Sequence, residues 1–268
     1  MSKGFLWFCQ NNDKTDYVAL SRELARTIKR YNPDSKICVV TDAASRFDSP
    51  HVDEIRVLKQ DDSQGHSQKF GNEYKAFALS PFTHTIKLEA DMMWTANTGW
   101  WWHYLCQHDL VFAVDCLDYR EQPVKDTAYR KLFYNNHLPN IYNGLMYFRK
   151  SERAKRFFDL AGDIARNWDT EGARLLKNCF DPYPTTDVVY ALAYRIMDPT
   201  QQELIDYPWF KFIHNKPAIH SETYHADCEN YYYPLRINDA IYYGGQRLSQ
   251  PLHYYNKKFL EILNGRVF

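Results

Sequence analysis

The alternation of short apolar runs with amphipathic segments is the feature that most constrains the fold of this chain. The run "FLWFCQ" near the amino terminus has the length and apolar character of a buried strand. The segment "TDYVALSRELARTIKRY" has helical periodicity, with Asp16 or Thr15 as its cap and Pro33 as its stop. Its apolar positions are Val18, Leu20, Leu24, Ala25 and Ile28. The strands "KICVVTD" and "DEIRVL" follow, and this β-α-β-β opening predicts an α/β fold with a mostly parallel sheet flanked by helices.

The same alternation continues to about residue 200. "GNEYKAFALS" is a short helix candidate that Pro81 stops, and the strand "THTIKL" comes next. The strands "DLVFAVD" and "GLMYFR" enclose a polar connection at residues 117–138, and two helices follow, the first of them capped by Ser151. Beyond residue 200 the pattern loosens into a segment rich in Pro, His and Tyr. We therefore expect a core at residues 1–200 and an irregular C-terminal extension at residues 201–268 that packs on the same domain.

Length and charge set further limits. A chain of 268 residues can bury a sizeable core as one domain. Its 33 basic and 33 acidic residues cancel, so no long-range field attracts polyanions, although local patches can still bind nucleic acid. Aromatic residues make up 16% and include 21 tyrosines, whose flat faces and hydroxyls suit an aromatic core or contacts to sugars and bases.

Cysteine usage and hydropathy bear on the compartment. The six cysteines form no CxxC pair, which argues against a zinc module and a disulfide scaffold. No apolar run approaches the roughly 18 residues of a membrane span, and the amino-terminal run is too short for a signal peptide. We expect a soluble cytoplasmic protein without a membrane partner.

Two carboxylates stand one residue apart in "HTIKLEADMMW", directly after a strand. Glu89 and Asp91 would be costly to bury unless they are paired or hold a cation. Ligands of open α/β sheets bind beyond the carboxyl ends of the strands, where this pair is expected to lie. Carboxylate oxygens suit Mg²⁺ or Mn²⁺. The E-x-D triplet alone is common, so a solvated or paired arrangement remains open on these residues.

Several segments, in order, resemble the motifs of GT-A-fold glycosyltransferases. "TIKLEADMMW" resembles the strand that carries the DxD motif, with Glu89 replacing the first aspartate, and "YKAFALSPFTHTIKLEAD" resembles the lysine-bearing helix before it. "YNGLMYFRKS" is similar to the "NSGVMLF" strand, and "TTDVVYALA" to the acidic helix start that follows. "LHYYNKKF" is similar to the late "HFNGxxKPW" segment of the glycogenin-like branch. The resemblance covers residues 5 to about 259. This sequence departs from the family motifs at three points. Glu89 stands in place of an aspartate, no glutamine follows Asp187, and no Pro-Trp follows the late lysines.

The resemblance implies a metal-dependent transferase that uses a nucleotide-sugar donor, most naturally a UDP-sugar. It implies a metal site of Glu89, Asp91 and His253 with Asp91 as the main ligand, and the imidazole nitrogen favours Mn²⁺ over Mg²⁺. Glu89 either binds the ion directly, binds it through water, or contacts the ribose of the donor. Lys257 or Lys258 would then cover a phosphate, and the glycogenin-like late segment implies retention of anomeric configuration.

Further donor contacts are expected in the loops at the same sheet edge. The resemblance places a basic donor contact at Lys75. Polar residues after the first two strands are candidates to hold the nucleoside, namely Gln10, Asn11, Asn12, Asp16, Thr41 and Asp42. Ordinary turn chemistry explains a residue such as Asp42 equally well.

Asn143 and Asp187 are the candidate catalytic residues. Asn143 and Gly144 precede the "LMYFR" strand, and Gly144 either admits the backbone close to the sugar or makes a turn. Asp187 either positions the acceptor or acts as a base, and its alternative role is to complement the dipole of the helix that it begins.

Other prominent residues are less informative. His214, His220 and His225 are spaced by six and five residues, which does not place them on one helix face as a metal site. Trp100, Trp101 and Trp102 pack under a loop or form a stacking wall for an acceptor.

The acceptor remains open between a glycan or protein and a hydroxymethylated base in DNA. The segments "RTIKR", "YRKLF" and "YNKKF" mix basic and aromatic residues as single-strand binders do, whereas the neutral net charge weighs against DNA. One alternative is a catalytically inactive nucleotide-sugar-binding module. Another is a nucleotidyltransferase, but "CQNNDKTDY" lacks the glycine-rich phosphate loop that this class needs.

Overall fold

The computed structural model describes residues 1–64, 69–124, 130–180, 183–216 and 234–264. Fourteen strands lie in these ranges. In chain order they are β1 Lys3–Cys9, β2 Lys36–Thr41, β3 Glu54–Val57, β4 His84–Leu88, β5 Met92–Met93, β6 Leu110–Val114, β7 Cys116–Leu117, β8 Pro123–Val124, β9 Ile141–Arg149, β10 Ile213–Asn215, β11 Leu235–Ile237, β12 Ala240–Tyr243, β13 Gln246–Arg247 and β14 Leu252–Tyr254.

Seven α-helices accompany these strands in the same ranges. They are α1 Tyr17–Tyr31, α2 Ala76–Leu79, α3 Trp101–Leu105, α4 Lys131–Asn135, α5 Glu152–Arg166, α6 Thr186–Met197 and α7 Phe259–Asn264. A 3-10 helix, Phe70–Lys75, leads into α2, so the short helix predicted there begins as a 3-10 turn. The polar connection at residues 117–138 contains β8 and α4, which the sequence pattern did not predict.

The central sheet has the strand order β3-β2-β1-β4-β9-β6. Neighbouring strands run parallel except at β9, which is antiparallel to both β4 and β6. The predicted α/β class with a mostly parallel, helix-flanked sheet is therefore confirmed. Leu88 pairs with Leu145 across β4 and β9, and this register places Asn143 and Gly144 beside the residues that follow β4.

Helices cover both faces of this sheet because β1 is apolar on both sides. Trp7 packs with α1 residues such as Leu24 in one core cluster, whereas Leu6 packs with α5 residues such as Phe157 in the other. Asp16 caps α1 by accepting a hydrogen bond from the Ala19 backbone N–H at 3.1 Å, as its position predicts. Two-sided burial of this kind is typical of parallel sheets.

A second sheet joins strands from beyond residue 200 to strands from the first 200 residues. Its strand order is β5-β14-β10-β7-β8, so β10 and β14, from beyond residue 200, pair with strands from before it. β10 and β14 run parallel, and His214 pairs with His253 in their register. The short strands β11, β12 and β13 form a third, antiparallel sheet.

No helix in the described ranges combines the length and the apolar character that a bilayer crossing requires.

Candidate functional site

A cavity of about 360 Å³ opens at the carboxyl ends of β1 and β4. β1 contributes Phe8 and is followed by Gln10, and the segment after β4 contributes Glu89 and Asp91. The opposite wall comes from β9, from the start of α6 and from β10 and β14. Because these walls converge from both sheets, the cavity is the place where a ligand of this α/β fold is expected.

Three potential metal ligands meet in this cavity. Glu89, Asp91 and His253 each offer one ligand atom, and these atoms all lie within 4.8 Å of one another. His253 Nε2 is 3.2 Å from Asp91 Oδ2 and 3.4 Å from Glu89 Oε2. The acidic pair comes from the end of β4 and the imidazole from β14, so the two sheets together assemble the cluster.

The electrostatics of this cluster are strongly coupled. Burial alone would raise the pKa of Asp91, but the charges of His253 and Lys257 hold that pKa far below its usual range. Burial raises the pKa of Glu89, and His253 only partly opposes the rise. Burial lowers the pKa of the His253 imidazole, but the two carboxylates more than reverse this effect and raise it. Lys257 contacts Asp91 directly, so its ammonium group offsets part of the negative charge of the acidic pair.

The side chains of this cluster suit a divalent cation. Two carboxylates and an imidazole are a ligand set that Mn²⁺ and Mg²⁺ accept, with the nitrogen favouring Mn²⁺. The three ligand atoms are close enough together to share one ion, and their residues line the cavity. Glu89, Asp91 and His253 are therefore the residues that would hold the ion.

A chain of buried contacts sets the position of Glu89. Asn143 Nδ2 donates to Glu89 Oε1 at 2.9 Å, and Asn143 Oδ1 accepts from Lys87 Nζ at 2.5 Å. The Lys87 side chain is fully buried and pairs with Glu73 at 2.5 Å, where burial raises the pKa of Glu73 although Lys87 opposes it. Sequence reasoning missed Lys87 and Glu73. A lysine inside an otherwise buried strand is a signal that a nearby counter-charge is needed.

Gly144 brings the backbone of β9 against the acidic cluster. A Cβ at this position would lie 3.0 Å from Glu89 Oε2 and 3.6 Å from Phe212 Cζ. A side chain there would press on the carboxylate, so the glycine leaves Glu89 in place. The backbone at Gly144 therefore approaches the Glu89 carboxylate closely. Gly144 also lines the cavity.

Asp187 lies in the cavity wall with both of its carboxylate oxygens engaged. Oδ1 accepts from the Asn143 backbone N–H at 2.6 Å, and Oδ2 accepts from Arg130 Nη1 at 2.8 Å. Arg130 is buried and also donates to Asn140 Oδ1 and to the Ile141 carbonyl. The carboxylate thus joins the start of α6 to β9. Arg130 is a second residue that sequence reasoning missed, because its contact with Asp187 spans 57 positions.

His214 belongs to the cavity, although its sequence spacing argued against a metal site. Its ring stacks on that of His253, with centroids 4.6 Å apart and planes 7° apart. Burial, followed by the charge of His253, lowers the pKa of His214 well below its ordinary value. The register of β10 against β14 creates this stack. His220 and His225 lie outside the described residues.

Cationic and aromatic side chains also line the cavity. Lys257 and Lys216 both line the cavity, and burial lowers the pKa of Lys216. Tyr17 at the start of α1 lines it too, and burial and the charge of Asp91 raise the pKa of Tyr17. Lys258, in contrast, is exposed, and its described hydrogen bond runs from its backbone N–H to Asn256 Oδ1.

The loops predicted to hold a nucleoside form a hydrogen-bonded rim. Gln10 Nε2 donates to Asp42 Oδ2 and to Asp61 Oδ2, both at 3.0 Å, and Gln10 also lines the cavity. Asn12 lines it as well, and its Oδ1 accepts from the backbone N–H groups of Lys14 and Thr15.

The other predicted donor residues bond to the backbone or to a neighbouring loop. Asn11 Oδ1 accepts from the Val18 N–H at 3.0 Å, and Thr41 Oγ1 donates to the Cys9 carbonyl at 2.7 Å. Asp16 is the α1 cap. Lys75 Nζ donates to the Gln60 carbonyl and pairs with Asp62 at 3.1 Å. These contacts hold the loop after β3 against the 3-10 helix that ends at Lys75.

The tryptophan cluster lies mainly in the core. Trp101 and Trp102 are buried, whereas Trp100 is half exposed and packs on Trp209 with ring centroids 4.8 Å apart. Trp101 also packs on Phe210 with ring centroids 5.1 Å apart. The described residues that line the cavity include none of the three tryptophans.

Comparisons with known proteins bear on the fold. No family model matches the chain, and no curated protein sequence matches it significantly. The chain is similar to the crystal structure of mouse xyloside xylosyltransferase 1 in its apo form, with a TM-score of 0.53 and 10% sequence identity. The match covers 95% of this chain and 98% of that chain. The fold is of the GT-A type.

The GT-A fold gives the cavity its context. The acidic residues after β4 occupy the sheet edge at which an open α/β fold binds its ligands, and the late histidine reaches them through the second sheet. The resemblance drawn from the sequence motifs is therefore confirmed at the level of the fold.

Proposed function

We propose that this protein is a metal-dependent glycosyltransferase that moves a sugar from a nucleoside diphosphate donor, a UDP-sugar, to an acceptor hydroxyl. The observation that carries the proposal is the convergence of Glu89, Asp91 and His253 in a cavity at the sheet edge of a GT-A fold. The solved structure of similar fold is named as a xylosyltransferase, which supports a sugar-transferring role.

A bound divalent ion, Mn²⁺ or Mg²⁺, would act as a Lewis acid that neutralises charge on the diphosphate. In the transfer, the acceptor oxygen bonds to the anomeric carbon while the bond from that carbon to the diphosphate oxygen breaks. The electron pair leaves with the nucleoside diphosphate, and the proton of the acceptor hydroxyl passes to the departing phosphate. Lys257 and Lys216 line the cavity and offer positive charge to the phosphates.

Asn143 and Asp187 serve as positioning residues in this proposal. Asn143 holds Glu89 through its amide, and Asp187 holds Asn143 through the backbone N–H. Both oxygens of Asp187 already accept hydrogen bonds, which favours a positioning role over that of a general base. Gln10 and Asn12, at the rim next to β1, are the donor contacts best placed for the nucleoside.

We assign the chain to the retaining, glycogenin-like branch on the late "LHYYNKKF" segment. The position of His253 beside Asp91 supports this assignment, as does the contact of Lys257 with the same carboxylate. The sugar is a hexose or a pentose, and selectivity between them depends on a few contacts in the cavity.

A screen of nucleotide sugars tests the proposal. We expect at least one UDP-sugar to release UDP in the presence of Mn²⁺, and chelation of the metal to stop the release. The Asp91→Asn variant should fold normally by circular dichroism and lose the metal-dependent release. UDP binding without release for every sugar tested would instead support a nucleotide-sugar-binding module.

A further inference from the structure

A second hollow of about 550 Å³ adjoins the cavity. It lies between the 3-10 helix Phe70–Lys75, the carboxyl end of α5 and the start of α6, and we call it the side cleft. Phe70, Glu73, Thr185 and Thr186 line both the side cleft and the cavity. The two hollows are therefore continuous at the residues just before Asp187.

The side cleft presents aromatic rings. Phe70 is 40% exposed and Tyr183 is 58% exposed, so both rings are accessible to a ligand. Tyr74, Trp168 and Tyr190 supply further rings behind them. Such rings offer flat apolar faces, and the tyrosines add hydroxyls, a combination that suits the C–H faces and hydroxyls of sugars. The volume is within the range of small-molecule sites.

Two acidic residues of the side cleft are paired with lysines. Asp62 pairs with Lys75 at 3.1 Å, and Glu73 pairs with Lys87 at 2.5 Å. Among the lining residues that the structure describes, Arg166 is the one cation.

Arg166 is itself engaged. It pairs with Asp163 at 2.7 Å and lies 4.9 Å from the centre of the Tyr74 ring. Asp169, another lining residue, is exposed and acidic. A nucleic-acid backbone needs several lysines or arginines that are free to meet phosphates. The described lining offers no such set, so the side cleft favours an uncharged, hydroxyl-rich ligand over DNA.

We infer that the side cleft binds a neutral oligosaccharide, which is the glycan part of the acceptor. The inference rests on the proposed function, since it places the acceptor hydroxyl in the shared region near Thr185 and Thr186, next to the donor cavity. It also decides between the two acceptor classes that the sequence left open, in favour of a glycan over a hydroxymethylated base in DNA.

Saturation-transfer NMR provides the test. Maltotriose, cellotriose, xylotriose and chitotriose are presented in turn to the full chain, and so is a single-stranded decamer that contains 5-hydroxymethylcytosine. We expect at least one trisaccharide to bind and the decamer not to bind. The Tyr183→Ala and Phe70→Ala variants should each weaken trisaccharide binding by about fivefold or more. Phe180→Ala is the matched control, because Phe180 is 88% exposed and does not line the side cleft.

The outcomes separate this inference from the proposed function. Absence of trisaccharide binding, unchanged binding in both variants, or decamer binding that Tyr183→Ala removes would each overturn the inference. Metal-dependent UDP release by the wild-type chain is measured in parallel without any acceptor. If release occurs and no trisaccharide binds, the side-cleft inference fails alone. If trisaccharides bind as expected and no UDP-sugar is turned over, the proposed function fails while the oligosaccharide site stands.

Discussion

Lys87 Nζ lies 2.5 Å from Asn143 Oδ1, and this contact determines which way the Asn143 amide points. An ammonium can only donate, so it must face the amide oxygen. The amide nitrogen is then turned toward Glu89 Oε1, which can accept its hydrogen bond at 2.9 Å. A buried lysine thus orients a residue at the candidate metal site without touching the metal ligands itself.

Replacing Lys87 by methionine is expected to destabilise the protein strongly. The substitution leaves Glu73 buried without its cation, and breaking a buried ion pair in this way costs about 3–5 kcal/mol. Urea unfolding followed by circular dichroism measures the loss. Lys155→Met is the matched control, because Lys155 pairs with Asp159 on the exposed side of α5 and should cost less than about 0.5 kcal/mol. Equal losses in the two variants would contradict the account.

The destabilisation by Lys87→Met should also grow with pH. Burial raises the pKa of Glu73, and removal of Lys87 takes away the charge that opposes the rise. A carboxyl whose folded pKa exceeds its unfolded pKa binds more protons in the folded state, so the free energy of unfolding falls as pH rises between the two values. We expect a smaller loss at about pH 5 than at about pH 8. A loss that is the same at both pH values would show that Glu73 is not the group responsible.

The local elements of this fold were largely predictable from the sequence. Apolar runs predicted β1, β2 and β4, and helical periodicity with cap residues predicted α1 and α5. These elements were predictable because their signals lie within a few consecutive residues. The turn Phe70–Lys75 was less clear, since 3-10 and α-helical turns share most residue preferences.

The site was predictable only in part. The acidic pair follows a strand, so its position at the sheet edge could be anticipated from local pattern. The stack of His214 on His253 depends on how β10 pairs with β14, and the Arg130–Asp187 contact depends on how α6 meets β9. Contacts of this kind join distant parts of the chain, and no local pattern encodes them.

Gly144→Ala is expected to weaken the metal site. Its Cβ would lie 3.0 Å from Glu89 Oε2, so the carboxylate must shift by a few tenths of an ångström. Changes next to metal ligands commonly reduce affinity by about 10–100-fold, and Mn²⁺ titration monitored by electron paramagnetic resonance would measure the change. Gly99→Ala serves as the control, because the nearest atom to its Cβ is the Asn97 side-chain oxygen at 3.3 Å, away from the cavity. Unaltered Mn²⁺ affinity in Gly144→Ala would count against Glu89 as a ligand.

Asp187→Asn tests the positioning role of the carboxylate. The amide can still accept from the Asn143 N–H, but it places an N–H group or an uncharged oxygen opposite Arg130. We expect the free energy of unfolding to fall by about 2 kcal/mol, the cost of a hydrogen bond to a charged group. Asp159→Asn, on the exposed side of α5, should change stability little. A positioning role also predicts slower UDP release with an unshifted pH profile, whereas loss of the acidic, low-pH limb of that profile would identify Asp187 as a general base.

Two substitutions of Asp16 distinguish a helix-capping role from a role in nucleotide binding. Its Oδ1 accepts from the Ala19 N–H at 3.1 Å, so Asp16→Ala should lower the free energy of unfolding by about 1 kcal/mol. Serine can make the same cap, and Asp16→Ser should therefore retain wild-type stability. The capping role predicts equal UDP affinity in the wild type and in Asp16→Ser. A clear loss of UDP affinity in the serine variant would reassign Asp16 to the donor site.

Calorimetric titration of UDP with and without Mn²⁺ tests the central claim most directly. That claim is that Glu89, Asp91 and His253 together hold the cation through which the donor binds. The account predicts at least about tenfold tighter UDP binding with Mn²⁺ than with a chelator, and the loss of this difference in both His253→Ala and Asp91→Asn. UDP affinity that is the same with metal and with chelator, or a metal effect that survives in both variants, would contradict the account.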